Sequence, residues 1–102
     1  GGLFVPLNDT HFMIDLIEKL DLPIILVCRS SLGTINHTLL SLKLINDRGL
    51  KVTGLIINGK KNPHNNEALT QYSNVPIIAE IDYLIPLNKE SLLTVKPKIS
   101  LL

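Results

Sequence analysis

Apolar residues follow two rhythms along this chain. The first is helical. Phe12, Met13, Leu16, Ile17 and Leu20 fall on one face of a helix, and Asp15, Glu18 and Lys19 fall on its other side. Asn8-Asp9-Thr10, just upstream, supplies the chemistry of a helix N-cap. The second rhythm is an unbroken run. Leu22 to Cys28 shows no alternation, which predicts a strand buried on both faces, as in a parallel sheet covered by helices.

The two rhythms then alternate. Leu3-Phe4-Val5 reads as a short buried strand ended by Pro6, which has no amide proton for a ladder. Gly33 or Thr34 caps a second helix with the apolar stripe Ile35, Leu39, Leu42 and Ile45 or Leu44. Arg48 lies in its last turn, and Gly49 stops it. Val52 to Ile57 is a third strand that runs into Asn58-Gly59. Lys60 to Asn66 is polar and reads as loop, after which Asn65 or Asn66 caps a short helix through Glu67, Ala68, Leu69 and Tyr72. Val75 to Ile81 is a fourth strand, and a helix is expected around Asn88 to Val95, between Pro86 and Pro97. Strands and helices in strict alternation mean βαβ units. The fold expected is therefore α/β, a three-layer, mainly parallel sheet with flanking helices and right-handed crossovers.

Composition sharpens this picture. A chain of 102 residues predicts one domain, 1–102, or part of one. Hydrophobic residues make up 45%, which agrees with strands covered on both sides. No apolar run approaches the roughly 20 residues of a membrane span, so no membrane partner is expected. The net charge of +1 gives no electrostatic reason to expect nucleic acid. Lys60-Lys61, the one adjacent basic pair, reads as a solvated loop. Cys28 is the only cysteine, which excludes an internal disulfide and a multi-cysteine metal site and fits a reducing cytoplasm. At the end of an apolar strand its thiol is expected to be buried and inert. The chain opens Gly1-Gly2-Leu3 with neither an initiator Met nor a signal-peptide pattern, and reads as cut at its left edge.

The familiar nucleotide motifs are missing: there is no G-x-x-x-x-G-K-[ST] and no G-x-G-x-x-G. His11, His37 and His64 are too scattered for a metal pattern, and His37 reads as a hydrogen-bonded structural residue. Ser30-Ser31 lack the G-x-S-x-G surroundings of a nucleophile elbow and read as loop hydroxyls. Two strand ends carry candidate chemistry. Gly33-Thr34-Ile35-Asn36 leads from a strand into a helix, where free amides and the helix dipole suit an anion; ordinary capping explains the same residues. Asn58-Gly59 follows a buried strand. An Asn amide matches a purine edge with one donor and one acceptor, and Asn-Gly is also a common turn pair.

At these same residues the chain resembles a known family. The segment Leu26-Val27-Cys28-Arg29-Ser30-Ser31-Leu32-Gly33-Thr34-Ile35-Asn36-His37-Thr38-Leu39-Leu40 is similar to one in dethiobiotin synthetases. So, in register, are Gly1-Gly2-Leu3-Phe4-Val5-Pro6-Leu7, Leu55-Ile56-Ile57-Asn58-Gly59, Asn62-Pro63, Asn65-Asn66-Glu67-Ala68 and Ile77-Ile78-Ala79-Glu80-Ile81. The resemblance covers nearly the whole chain and is to the C-terminal half of the family's domain. It implies a P-loop NTPase-like fold and a cytoplasmic homodimeric ligase of biotin biosynthesis. That enzyme closes a ureido ring on 7,8-diaminopelargonic acid with CO2, ATP and Mg2+. Carried over, Gly33, Thr34 and Asn36 would bind the substrate's carboxylate tail. Asn58 and Gly59 would read adenine, Gly1 would lie beside the phosphates, and Asp82, Tyr83 and Leu84 would form a further nucleotide loop. Asp82 stands where the family usually has Pro. The family's phosphate loop, catalytic lysine and acidic metal ligands match nothing here, so this chain alone is expected to be inactive, with no catalytic or metal residue in the segment. The other readings are a non-catalytic scaffold module that keeps the fold, or a cobyrinate-type amide-forming ligase of the same superfamily.

Overall fold

The computed structural model describes residues 1–95, so Pro97 and the Lys96-Pro97-Lys98 tail lie outside the described residues. Its elements, in chain order, are α1 (Met13–Leu20), β1 (Ile24–Arg29), α2 (Thr34–Asp47), β2 (Val52–Asn58), α3 (Pro63–Ser73), β3 (Ile77–Ile81) and α4 (Lys89–Leu93). The three strands form one sheet in the order β1-β2-β3, and both pairings are parallel. The expected α/β architecture is therefore present, with three strands instead of four.

The missing strand is the N-terminal one. Leu3 and Phe4 form a turn, and the only ladder contact nearby is an isolated antiparallel bridge between Pro6 and Phe12. Backbone accounting explains why. The Val5 carbonyl accepts from the Met13 amide at 2.9 Å, and the Leu3 carbonyl from the Ile14 amide at 3.0 Å. The segment thus satisfies amides that α1's first turn would otherwise leave orphaned, and it serves the helix instead of the sheet.

The helix boundary moves for the same reason. Asn8 does not cap α1. Its Oδ1 accepts from the amides of Thr10 (2.9 Å) and His11 (2.8 Å) and closes a local turn. The N-cap position falls on Phe12, whose amide donates to the Asp15 carboxylate at 2.7 Å. The buried face of α1 is also rotated from the expected stripe. Ile14 is fully buried, whereas Leu16 and Leu20 are exposed.

β1 starts at Ile24, not Leu22, and it alternates. Cys28 is buried and Leu26 packs on the core, but Ile25 (42% exposed) and Val27 (60% exposed) face out. Within the described residues only the face of β1 that carries Leu26 and Cys28 is covered, so the expectation of cover on both faces is not met there. β3 likewise starts at Ile77, two residues later than expected. α3 starts earlier than expected. Asn62, not Asn65 or Asn66, is its N-cap, accepting from the Asn65 amide at 3.1 Å, and Pro63 occupies the first helical position. α4 falls within the expected stretch, and Asn88 is its N-cap, accepting from the Ser91 amide at 2.8 Å.

The core lies between the sheet and the α2–α3 pair. Cys28, Leu55, Ile57 and Leu69 are its buried centre, flanked by Leu26, Leu42, Val52, Val75 and Ile77. Gly54 lets β3 approach: a Cβ there would stand 2.6 Å from Ile78 Cγ2.

Candidate functional site

Parallel pairing brings all three strand ends to one edge of the sheet. Arg29 pairs with Asn58, and Asn58 with Ile81, so the loops after β1, β2 and β3 leave the sheet side by side. This is the edge where open α/β sheets receive ligands.

The loop after β1 is short and strained at one point. Gly33 is the N-cap of α2 at φ 97°, a left-handed geometry that only glycine adopts without cost. The Thr34 amide donates to the Ser31 carbonyl at 3.1 Å, and the His37 amide to the Gly33 carbonyl at 3.0 Å. Among the described residues the amides of Ile35 and Asn36 have no carbonyl partner, which leaves two donors at the positive end of the α2 dipole. The Thr34 hydroxyl is turned inward, 3.3 Å from Thr38 Oγ1, with both side chains buried. Gly33 and Asn36 sit at the helix start, and Asn36 is exposed.

Beside this helix start opens a cleft of about 400 Å³. Gly1, Gly2, Ser31, Thr34, His37 and Ser41 are among its lining residues. Gly1 therefore falls beside the β1–α2 loop. His37 is exposed and its ring makes no hydrogen bond among the described residues, so the expectation of a hydrogen-bonded structural histidine is not met. Cys28 belongs to the same wall. Burial pushes its thiol up from the usual range, against a smaller lowering from the hydroxyl of Thr38.

The second strand end is built around Gly59. It is buried at φ 131°, and its amide donates to the Ile81 carbonyl at 2.8 Å, which extends the β2–β3 pairing by one residue. A Cβ on Gly59 would lie 2.6 Å from Ser30 Oγ and 3.7 Å from the Tyr83 hydroxyl. Asn58 is exposed. Asp82 turns its carboxylate back to accept from the Tyr83 amide at 2.7 Å, and Leu84 is half-buried. Asn58, Gly59 and the Asp82-Tyr83-Leu84 loop are therefore neighbours.

Sequence reasoning missed the residue that joins the two strand ends. Ser30, expected to be a loop hydroxyl, is only 6% exposed, and its side chain packs over Gly59. Its carbonyl accepts from Asn65 Nδ2 at 2.9 Å, so the start of α3 is fastened to the β1–α2 loop. Nothing in the hydrophobic pattern marks Ser30, because a polar residue after a strand is the commonest loop signal. Among the described residues no group of three or more His, Cys, Asp or Glu side chains could hold a metal ion. Nor is any described helix long and apolar enough to cross a membrane.

Residues 1–91 match the family model described as an AAA domain. Among curated proteins the chain is similar to the ATP-dependent dethiobiotin synthetase BioD of Lawsonia intracellularis. The two are 46% identical over 92 residues, covering 90% of this chain and 45% of the relative. The enzyme of the same name from Paramagnetospirillum magneticum is 46% identical over 84 residues, 82% of this chain and 41% of the relative. That of Neorickettsia sennetsu is 40% identical over 100 residues, 94% of this chain and 40% of the relative. The chain thus spans less than half the length of these curated relatives.

Proposed function

Because this chain belongs to the AAA domain family and, within it, to the dethiobiotin synthetases, we propose that it is the part of such an enzyme that reads adenine and the substrate's carboxylate tail. The reaction proposed for the whole protein is ATP-dependent closure of a ureido ring on 7,8-diaminopelargonic acid with CO2. One amine forms a carbamate, ATP phosphorylates it to a mixed anhydride, and the second amine attacks. Such chemistry rests on positioning and on neutralising charge at the transferred phosphoryl group.

In this reading Asn58 and Gly59 meet the adenine edge, and Asp82, Tyr83 and Leu84 line the nucleotide beside them. Gly33, Thr34 and Asn36 receive the carboxylate at the start of α2. The Thr34 side chain is spent on Thr38, so the donors assigned to the carboxylate are the amides of Ile35 and Asn36 and the Asn36 side chain. Gly1 is assigned to the turn beside the phosphates, although it lines the β1–α2 cleft here. Mg2+ has no fitting ligand set among the described residues, so the reading places its ligands, with the phosphate loop, elsewhere in the protein, and takes the isolated segment to be inactive. The active form is read as a cytoplasmic homodimer, and the segment as part of one domain.

The observation that carries the reading is the register Arg29–Asn58–Ile81, which sets the two candidate subsites side by side at the ligand-binding edge of a parallel sheet. The test is Asn58→Ala in the complete protein. ATP affinity should fall about tenfold, the equivalent of one or two lost hydrogen bonds, with dimerisation unchanged. Unchanged ATP affinity would favour a scaffold module. Turnover of another carboxylate substrate in place of diaminopelargonic acid would favour a different amide-forming ligase.

A further inference from the structure

We propose that Asn65 is a positioning residue for the carboxylate end of this site, a role that rests on the reading above. The side chain stands in the first turn of α3, far along the chain from the loop it holds. Its own backbone is fixed, since its amide donates to the Asn62 cap at 3.1 Å. Its Nδ2 then donates to the Ser30 carbonyl at 2.9 Å.

Ser30 is the hinge point of the β1–α2 loop. It is the first residue after β1, it is buried, and its hydroxyl rests on Gly59. Beyond it the loop is stiff, because the Thr34 amide closes a turn onto the Ser31 carbonyl. A stiff loop hinged at Ser30 carries the free amides of Ile35 and Asn36 with it. Where Ser30 is held therefore decides where those donors point. Asn65 is the side chain that fastens Ser30 to α3, and α3 begins five residues after Asn58. The carboxylate subsite is thus set in place from the element that follows the adenine subsite.

The chemistry requires an amide at 65. A carbonyl accepts only from a donor, and a carboxylate has none. Asn65→Asp should therefore behave like Asn65→Ala, whereas Asn65→Gln, which retains the donor, should recover part of the function.

The experiment combines two readouts on the complete protein. In steady-state kinetics, Asn65→Ala and Asn65→Asp should raise KM for the diamine by about tenfold while KM for ATP stays within about twofold. In hydrogen exchange, the Thr34 and His37 amides, which donate to the Ser31 and Gly33 carbonyls, should lose protection while the β2 amides keep theirs. A fall in thermal midpoint with both KM values unchanged, or unchanged exchange at Thr34 and His37, would overturn the proposal. If the wild-type protein does not turn over diaminopelargonic acid at all, the functional reading fails, and the exchange pattern still decides whether Asn65 holds the loop.

Discussion

Arg48, which closes α2, donates from Nη1 to Asp15 Oδ1 of α1 at 2.9 Å. The same nitrogen reaches Glu18 Oε2 at 2.8 Å, so one guanidinium gathers two carboxylates spaced three apart on α1. The Asp15 carboxyl is held below its ordinary value of 3.8, first by the Phe12 amide and then by Arg48. A depressed carboxyl contributes stability above its unfolded pKa and loses it as pH falls through the folded value. Arg48→Leu should therefore lower the thermal midpoint at neutral pH. Its difference from wild type should shrink as pH falls below the ordinary carboxyl value of 3.8 and Asp15 protonates in both proteins. Because the groups are solvent-accessible, high salt should shrink it too. A difference independent of both pH and salt would mean that the arginine acts by packing alone.

Gly59 faces two obstacles to any side chain, its φ of 131° and the Ser30 hydroxyl 2.6 Å from a would-be Cβ. Gly59→Ala should cost about 1–3 kcal/mol in denaturant unfolding. The contribution of contact can be separated from that of backbone strain. Ser30→Ala removes the oxygen and leaves a carbon 3.6 Å away, an ordinary contact. The double variant should recover part of the loss but not all of it. Full recovery would assign the whole cost to the hydroxyl, and none would assign it to φ.

The Cys28 thiol should be silent in the native protein. It is buried, and desolvation raises its pKa away from the reactive range. A colourimetric thiol reagent should titrate no sulfur in the native state and one per chain in denaturant. Rapid native labelling would show that the cleft beside Thr38 opens to solvent.

Much of this fold was legible because helix and strand periods differ. The α2 stop at Arg48-Gly49 and the parallel pairing of the strands both follow from patterning. What failed was cover and capping. An unbroken apolar run reads as doubly buried whether or not a neighbour is present, so Ile25 and Val27 misled. Asn8 and Asn65 carry cap chemistry that was spent on other backbone groups. Local sequence names the donor and acceptor types, and tertiary structure chooses their partners. At the site, Gly33 and Asn58-Gly59 were visible as strand-end signals, and the Ser30–Asn65 link was not, because it joins residues far apart in the chain.

The registers also govern how the molecule comes together in time. Ile24 pairs with Val52, and Leu55 with Ile77, each across a complete helix. No strand here can find its partner by a tight turn, so every ladder waits for α2 or α3 to fold the chain back. Such pairings are slow, and the waiting is spent with strand edges open. Within the described residues Ile25 and Val27 stay exposed after the ladder has formed. For a nascent or refolding chain the hazard is therefore concentrated on β1. Dilution during refolding should help more than any added stability elsewhere, because a competing chain is the fastest partner an open edge can meet.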